Sequence, residues 1–266
     1  MNVFLRELRA HGRSTITWMV SLTAILVTFM ALYPAFTADI AVTREVFEQF
    51  PAVVMDALNI SLASFFTIYG FFGYLLSFAI LAGSIQAMNL GTGIISKETS
   101  GKTADFLLSK PITRSRVVTA KLGAALALLI LTNLVFAAVA FTVASVLSEE
   151  GFSARTFLLM ASTLFLVQLF FLALGTLFAV TIPRIKSVVA VSLPTVFAFY
   201  IVGVVGDVLA NDEAWFLTPF KYFETGHIIA NSSLETAPLV VLAAFVVVTI
   251  ALSYLIYVRK DVRASA

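Results

Sequence analysis

Apolar residues are grouped along this 266-residue chain into six long runs that contain almost no charge. The runs cover approximately residues 16–36, 64–90, 122–147, 157–182, 188–208 and 238–258. An α-helix rises about 1.5 Å per residue, so each run is long enough to cross the roughly 30 Å hydrocarbon core of a bilayer. The pattern predicts an all-α integral membrane fold with six transmembrane helices. The second, third and fourth spans are long, so they should tilt or project beyond the bilayer.

Two further segments mix apolar and charged residues, as is typical of helices that lie on a membrane surface. Residues 1–13 combine apolar and basic side chains, which predicts an N-terminal interfacial helix in preference to a frayed basic tail. Residues 40–58 are too polar to span the bilayer and too apolar to form a free loop. They predict an outer amphipathic helix between spans one and two, bent near Pro51.

Composition argues against a soluble protein. Hydrophobic residues make up 60% of the chain, charged residues make up 12%, and the mean hydropathy is +1.01. One soluble core of this length cannot hide so much apolar surface. The stretches between the runs are shorter than about 30 residues, which is too short for a hydrophobic core of their own. We therefore expect a single transmembrane domain over residues 1–266 and no nucleotide-binding domain.

Basic residues are distributed unevenly between the two sides of the six spans. Fourteen of the 17 Lys and Arg residues fall in the N-terminal tail, the segment between spans two and three, the turn after span four and the C-terminal tail. The other side has only Arg44, Arg155 and Lys221, together with 11 of the 15 acidic residues. Because cytoplasmic segments of membrane proteins carry the excess of Lys and Arg, both termini are predicted to be cytoplasmic.

Asp, Glu, Lys, Arg and His are absent from the middle of every apolar run, and Asp207 lies at an outer edge. Proton relays, ion paths and intramembrane proteases need such groups at that depth, so these mechanisms are disfavoured. The chain has no Cys, two His and no H-E-x-x-H motif, which argues against a metal site. Residues 101–103 read Gly-Lys-Thr, but a phosphate-binding loop would need Gly where Ser96 stands. The chain itself is predicted to be non-catalytic.

A few uncharged polar side chains lie inside the apolar runs. They are Gln86 and Asn89 in span two, Asn133 in span three and Gln168 in span four. Side chains of this kind often form hydrogen bonds between membrane helices. The alternative is that they line a path for a transported molecule. Both interpretations are open from sequence, and the four residues are candidate pathway residues.

A basic segment, residues 97–121, connects spans two and three. Residues 103–109 have the pattern of a short amphipathic helix, which Pro111 would end. The apolar face of this helix carries Phe106, Leu107 and Leu108. A short apolar helix flanked by charges at the cytoplasmic surface is suited to a groove on a soluble partner. The alternative is a solvated loop whose apolar side chains dip into lipid.

This segment resembles a loop of ABC type-2 exporter permeases, the six-span transmembrane subunits of ATP-binding cassette transporters. The family motif runs approximately E-x-E-x-G-T-x-x-x-L-L-S-x-P-[IVL]-[ST]-R-x-x-[IVL]-x-x-K. The residues that match it in register are Glu98, Thr103, Leu107, Leu108, Ser109, Pro111, Ile112, Thr113, Arg114, Val117 and Lys121. Two positions depart from it: Ser100 replaces a second Glu, and Lys102 replaces the Gly before Thr103, with Gly101 one place early.

The resemblance implies a permease subunit that exports a substrate. The aromatic-rich, uncharged interior of the spans suits an apolar or amphiphilic substrate, but phenylalanines that face lipid would give the same composition. ATP and Mg would be bound by a separate cytoplasmic ABC ATPase, and this chain would hold no cofactor. A second permease subunit, identical or homologous, would complete the path in the plasma membrane of a prokaryote, and no nucleic acid partner is implied. A cytoplasmic coupling helix would transmit ATPase movement. The ATPase-coupling residues would be Glu98, Gly101, Thr103, Phe106, Leu107, Leu108, Ser109, Pro111, Ile112, Arg114 and Lys121.

Two other functions are kept as alternatives. A non-transport membrane module could dock an ATPase for assembly or sensing, and a transported compound would then fail to stimulate ATP hydrolysis. An intramembrane enzyme is disfavoured because the spans lack titratable groups.

Overall fold

The computed structural model describes residues 3–51, 54–55, 62, 64–100, 113–148, 151–209 and 212–259, with only the backbone described at 97–100 and 212–214. The α-helices in chain order are α1 (Val3–Met30), α2 (Tyr33–Thr37), α3 (Ile40–Glu48), α4 (Ile68–Ser100), α5 (Arg114–Leu147), α6 (Ala154–Thr181), α7 (Val188–Val208), α8 (Thr225–Asn231) and α9 (Thr236–Arg259). Two 3₁₀ helices, Asp212–Leu217 and Pro219–Lys221, lie between α7 and α8. No β-strand occurs in these parts of the chain.

Six of these helices are long and apolar enough to cross a membrane, which confirms the predicted six-span fold. They are α1, α4, α5, α6, α7 and α9. Helix α7 has the predicted bounds, whereas α4 continues to Ser100 and α5 begins at Arg114, both beyond the predicted apolar runs. Hydropathy marks only the part of a helix that lies in hydrocarbon. The charged residues at the ends of α4 and α5 have good helix propensity, so both helices project past that part.

The predicted amphipathic segments are helical in part: residues 3–13 belong to α1 and residues 40–48 form α3, whereas residues 49–51 are not helical. The N-terminal residues form the first turns of α1 and continue into the first span, because no proline interrupts the helix. On the other side of span one, α3 begins at Ile40, and the Oδ1 of the preceding residue, Asp39, accepts a hydrogen bond from the Val42 N–H at 3.1 Å. This contact is an N-cap. Most of the predicted outer helix after Pro51, and the predicted coupling helix at residues 103–109, lie outside the described residues.

Helices α4 and α6 lie in close backbone contact because glycines face each other. A Cβ atom on Gly91 would lie 2.4 Å from the carbonyl oxygen of Leu172, and one on Gly175 would lie 2.7 Å from that of Met88. Real Cβ atoms do not approach so closely, so only glycine allows this spacing. Small residues commonly permit such approach between membrane helices. Because α6 also packs against α5 and α9, it forms the centre of the bundle.

The segment between α7 and α9 folds back into the bundle. Thr218 is fully buried, and its Oγ1 donates a hydrogen bond to the carbonyl oxygen of Phe199 at 2.8 Å. Phe199 lies nine residues before Val208 at the end of α7, which corresponds to a descent of about 14 Å at 1.5 Å per residue. The chain then returns through α8 to Ser232, whose hydroxyl lies 2.7 Å from that of Thr156 near the start of α6. The segment is therefore re-entrant.

Irregular backbone at membrane depth is tolerated where protein surrounds it. The rings of Phe220 and Phe171 lie with centroids 5.5 Å apart, and Tyr222 is buried against Phe170. Lys221 forms an ion pair with Asp207, close to the end of α7. Its charged end therefore points back toward the bilayer surface while its backbone lies deeper.

Candidate functional site

Polar side chains from three helices meet in the middle of the bundle. Gln168 is fully buried, and its Nε2 donates hydrogen bonds to the carbonyl oxygen of Gly83 and to Gln86 Oε1, each at 3.2 Å. Its Oε1 accepts a hydrogen bond from Asn133 Nδ2 at 2.6 Å. Gln86 Nε2 in turn donates to Thr132 Oγ1 at 3.1 Å. The side chains of Gln86, Thr132, Asn133 and Gln168 thus form one connected network, which we term the polar layer.

The polar layer lies near mid-depth and separates two apolar clusters. Gln168 stands 14 residues after the start of α6 and 13 residues before its end, which is about 20 Å from each. On α5, one apolar cluster ends at Leu129 and the other begins at Phe136, with Thr132 and Asn133 between them. Hydrogen bonds between helices in such a dry place fix how the helices pack relative to each other. The buried Oδ1 of Asn133 accepts no hydrogen bond from the residues that the structure describes.

Three of the four candidate pathway residues therefore meet, and Asn89 does not join them. Asn89 instead lies on the same side of α4 as Gln86, at a polar cleft between α4 and α1. The other residues that line this cleft are His11, Ser14, Thr15, Trp18 and Leu90. Among the residues the structure describes, nothing donates a hydrogen bond to the buried Oδ1 of Asn89. A buried acceptor without a partner is uncommon in proteins.

An ion pair joins α1 to α5 at the end of the bundle that carries segment 97–121. Lys121 Nζ lies 3.1 Å from Glu7 Oε1 and donates a hydrogen bond to the carbonyl oxygen of Ile94 at 2.6 Å. The side chain of Lys121 is only 1% exposed. Glu7 Oε2 also lies 3.8 Å from His11 Nε2. We call Glu7, Ile94 and Lys121 the three-helix joint, because they connect α1, α4 and α5.

The structure describes the side chains of two residues that the resemblance assigns to ATPase coupling. Arg114 begins α5 and is half-buried. Lys121 faces the interior of the bundle, so any role in coupling passes through α1 and α4 and not through direct contact with a soluble partner. Glu98 belongs to the last turns of α4, where only the backbone is described. The remaining predicted coupling residues, at 101–112, lie outside the described residues.

Sequence reasoning did not single out Glu7 or Thr132 as site residues. Glu7 carried a usable signal, because it is the one acidic residue in the basic segment 1–13 and therefore suggests a specific cation partner. Thr132 carried no signal in the sequence that would mark it as a site residue. Threonine in membrane helices commonly bonds to its own backbone, and Thr132 also donates to the carbonyl oxygen of Leu128 at 3.0 Å.

Comparison with known protein families assigns the chain to one family. The family model described as "ABC-2 family transporter protein" matches residues 1–262. The chain belongs to the ABC-2 transporter family. It is therefore a multi-pass transmembrane permease of a class whose membrane subunits associate with an ATPase and are generally non-catalytic. No curated protein matches the chain.

The polar layer of this ABC-2 permease is expected to stabilise the fold. Gln168→Leu should lower the free energy of unfolding by about 2 kcal/mol, because it removes the donor to Gln86 and the acceptor of Asn133 inside the bundle. The thermal unfolding midpoint in detergent measures this change. Ser162→Ala on the same helix is the control, because that hydroxyl donates to Leu159 within α6. Equal midpoints for the two variants would contradict a stabilising layer.

Proposed function

We propose that this ABC-2 permease is the membrane subunit of an ATP-driven exporter. The observation that carries the proposal is the family match over residues 1–262. A separate cytoplasmic ABC ATPase would bind ATP and Mg and dock on segment 97–121. Two permease subunits, identical or homologous, would form the path across the plasma membrane of a prokaryote. This chain would contribute the membrane domain alone, without a nucleotide-binding domain.

ATP hydrolysis can drive transport only if the closed ATPases favour one conformation of the permease over another. Segment 97–121 supports such a link because α4 leads into it and α5 leads out of it. The same two helices carry Gln86, Thr132 and Asn133 of the polar layer. Displacement of the segment would therefore be passed by two long helices to the middle of the bundle.

The proposed substrate is apolar or amphiphilic. The middles of the spans carry aliphatic, aromatic and amide side chains but no ionised group that could pair with a buried ionic group of a substrate. The amide residues Gln86 and Asn89 line the α1–α4 cleft. A molecule with a hydroxyl or amide donor and a large apolar part fits these surfaces.

Purification of the tagged chain from its native membrane in mild detergent tests the proposal. An ABC ATPase should copurify, and the reconstituted complex should hydrolyse ATP faster when an amphiphile that it transports is present. An ATPase that copurifies but responds to no compound in a broad panel of amphiphiles would favour the non-transport module. A preparation that contains no ABC ATPase would contradict the proposal.

The proposed orientation, with both termini cytoplasmic, predicts which single cysteines are accessible in intact cells. The chain has no native Cys, so a new thiol is the only reactive one. Cysteine at Ser187, just before α7, should be shielded from an impermeant thiol reagent until the cells are permeabilised. Cysteine at Ser148, just after α5, should react without permeabilisation. The reverse labelling pattern would contradict the orientation.

A further inference from the structure

Lys121 is one of the largest fully buried side chains in the part of the chain that the structure describes. Lysine is almost never buried to this degree unless its charge is paired. Here the ammonium contacts the Glu7 carboxylate and the Ile94 carbonyl oxygen, at 3.1 Å and 2.6 Å. One cation therefore makes polar contacts with two helices other than its own.

Adhesion between helices does not require this arrangement. Apolar residues of similar volume usually hold buried helices together as well as an ion pair does, whereas loss of one charged partner leaves an uncompensated buried charge. An ion pair with defined acceptors also specifies one register between the helices, which a smooth apolar contact does not. The three-helix joint therefore makes α1 follow α4 and α5 more closely than packing alone would.

The three-helix joint lies close to segment 97–121 along both α4 and α5. Ile94 lies six residues before the end of α4, and Lys121 lies seven residues after the start of α5. The joint is therefore about 10 Å along each helix from residues 101–112. The same contact reaches α1 at Glu7, one turn before His11.

The α1–α4 cleft begins at His11, one turn after Glu7. His11, Ser14, Thr15 and Trp18 form its α1 side, opposite Gln86 and Asn89. A rigid helix carries any movement of Glu7 to these residues, because nothing between them interrupts α1.

We propose that the three-helix joint transmits movement of segment 97–121 to α1 and so opens or closes the α1–α4 cleft. This inference rests on the proposed function, because it takes an ATPase to move the segment. Glu7 and Lys121 are positioning residues, because they would act through the helices that they join. With the joint intact, α1, α4 and α5 move together. Without it, α4 and α5 respond to the ATPase while α1 and the cleft do not.

A cysteine reporter in the cleft tests this inference on the reconstituted permease–ATPase complex. Ser14 is exposed and lines the cleft, so Ser14→Cys gives a single thiol whose maleimide labelling rate reports cleft accessibility. ATP with vanadate should change that rate when the joint is intact. Glu7→Leu/Lys121→Met should lose the change while ATPase binding and hydrolysis continue. A merely structural role for the joint would leave the change in place, and that result would overturn the inference.

Two further measurements separate loss of coupling from loss of folding. Lys121→Met alone should unfold at a lower temperature than the double variant, because the single substitution takes the nearby ammonium away from the largely buried Glu7 carboxylate and leaves it with the more distant His11 Nε2, at 3.8 Å. Asp207→Asn/Lys221→Met, which removes the ion pair at the other end of the bundle, should keep the ATP-dependent change.

If the reporter with an intact joint binds an active ATPase but shows no ATP-dependent change, the inference is overturned and the proposed function stands. If no ABC ATPase binds, both are overturned.

Discussion

Gly91→Val is expected to destabilise the membrane domain by about 3 kcal/mol, the upper part of the usual range for overpacking. The first added carbon would lie 2.4 Å from the carbonyl oxygen of Leu172 and 3.1 Å from the backbone nitrogen of Thr176. Backbone atoms cannot rotate away as a side chain can, so α4 and α6 must separate. The thermal unfolding midpoint and the monodispersity of the purified protein in detergent measure the effect.

The matched control for this prediction is Gly123→Ala in α5. A Cβ atom there would meet Phe4 at 3.7 Å, an ordinary contact. Alanine should then be neutral or stabilising, because it has a better helix propensity than glycine by about 1 kcal/mol. Gly91→Ala gains the same propensity and should still lower stability. If the two alanine variants unfold at the same temperature, α4 and α6 are not in the described close contact.

The six spans were predictable because hydropathy is a local property. A run such as residues 188–208 must satisfy its own backbone hydrogen bonds in lipid, so its apolar length alone specifies a helix, and α7 has those bounds. The ends of α4 and α5 were not predictable in this way. Ser100 and Arg114 lie beyond the hydrocarbon, where charged residues extend a helix without any change in hydropathy.

Which polar residues meet could be predicted only in part. Gln86, Asn133 and Gln168 stood out because amides are rare in lipid, but the choice between them and Asn89 depends on which face of each helix points inward. The contact between Glu7 and Lys121 was harder to predict from the sequence. Lys121 matched a loop motif and was assigned to the ATPase, whereas its partner Glu7 lies 114 residues away in sequence.

The re-entrant segment after α7 gave no sequence signal of membrane depth. It includes Pro219 and two 3₁₀ helices and has no apolar run long enough to span, so the sequence predicts an outer connection between spans five and six. Its depth comes from tertiary contacts such as Thr218 with Phe199. Hydropathy cannot report such contacts.

The second large effect is expected in segment 97–121, where the ATPase is proposed to dock. Burial of one leucine contributes about 1.5–3 kcal/mol, so Leu107→Asp/Leu108→Asp should weaken ATPase binding by about 100-fold or more. The two new carboxylates add a desolvation cost if they enter an apolar groove. The membrane domain should still insert and fold, because these residues lie between the second and third spans and outside the apolar runs. Lys110→Gln is the matched control, because Lys110 lies outside the apolar set proposed to dock and a charge at the rim of a contact contributes little.

Capture of the ATPase by these variants tests the central claim, that a separate ATPase drives this permease through the loop between α4 and α5. Tagged wild-type, Leu107→Asp/Leu108→Asp and Lys110→Gln permeases are purified in the same detergent, and bound ATPase and ATP hydrolysis are measured for each. We predict that the double variant loses both while its thermal unfolding midpoint stays at the wild-type value, and that Lys110→Gln retains both. Wild-type levels of bound ATPase and of substrate-stimulated hydrolysis in the double variant would contradict the account.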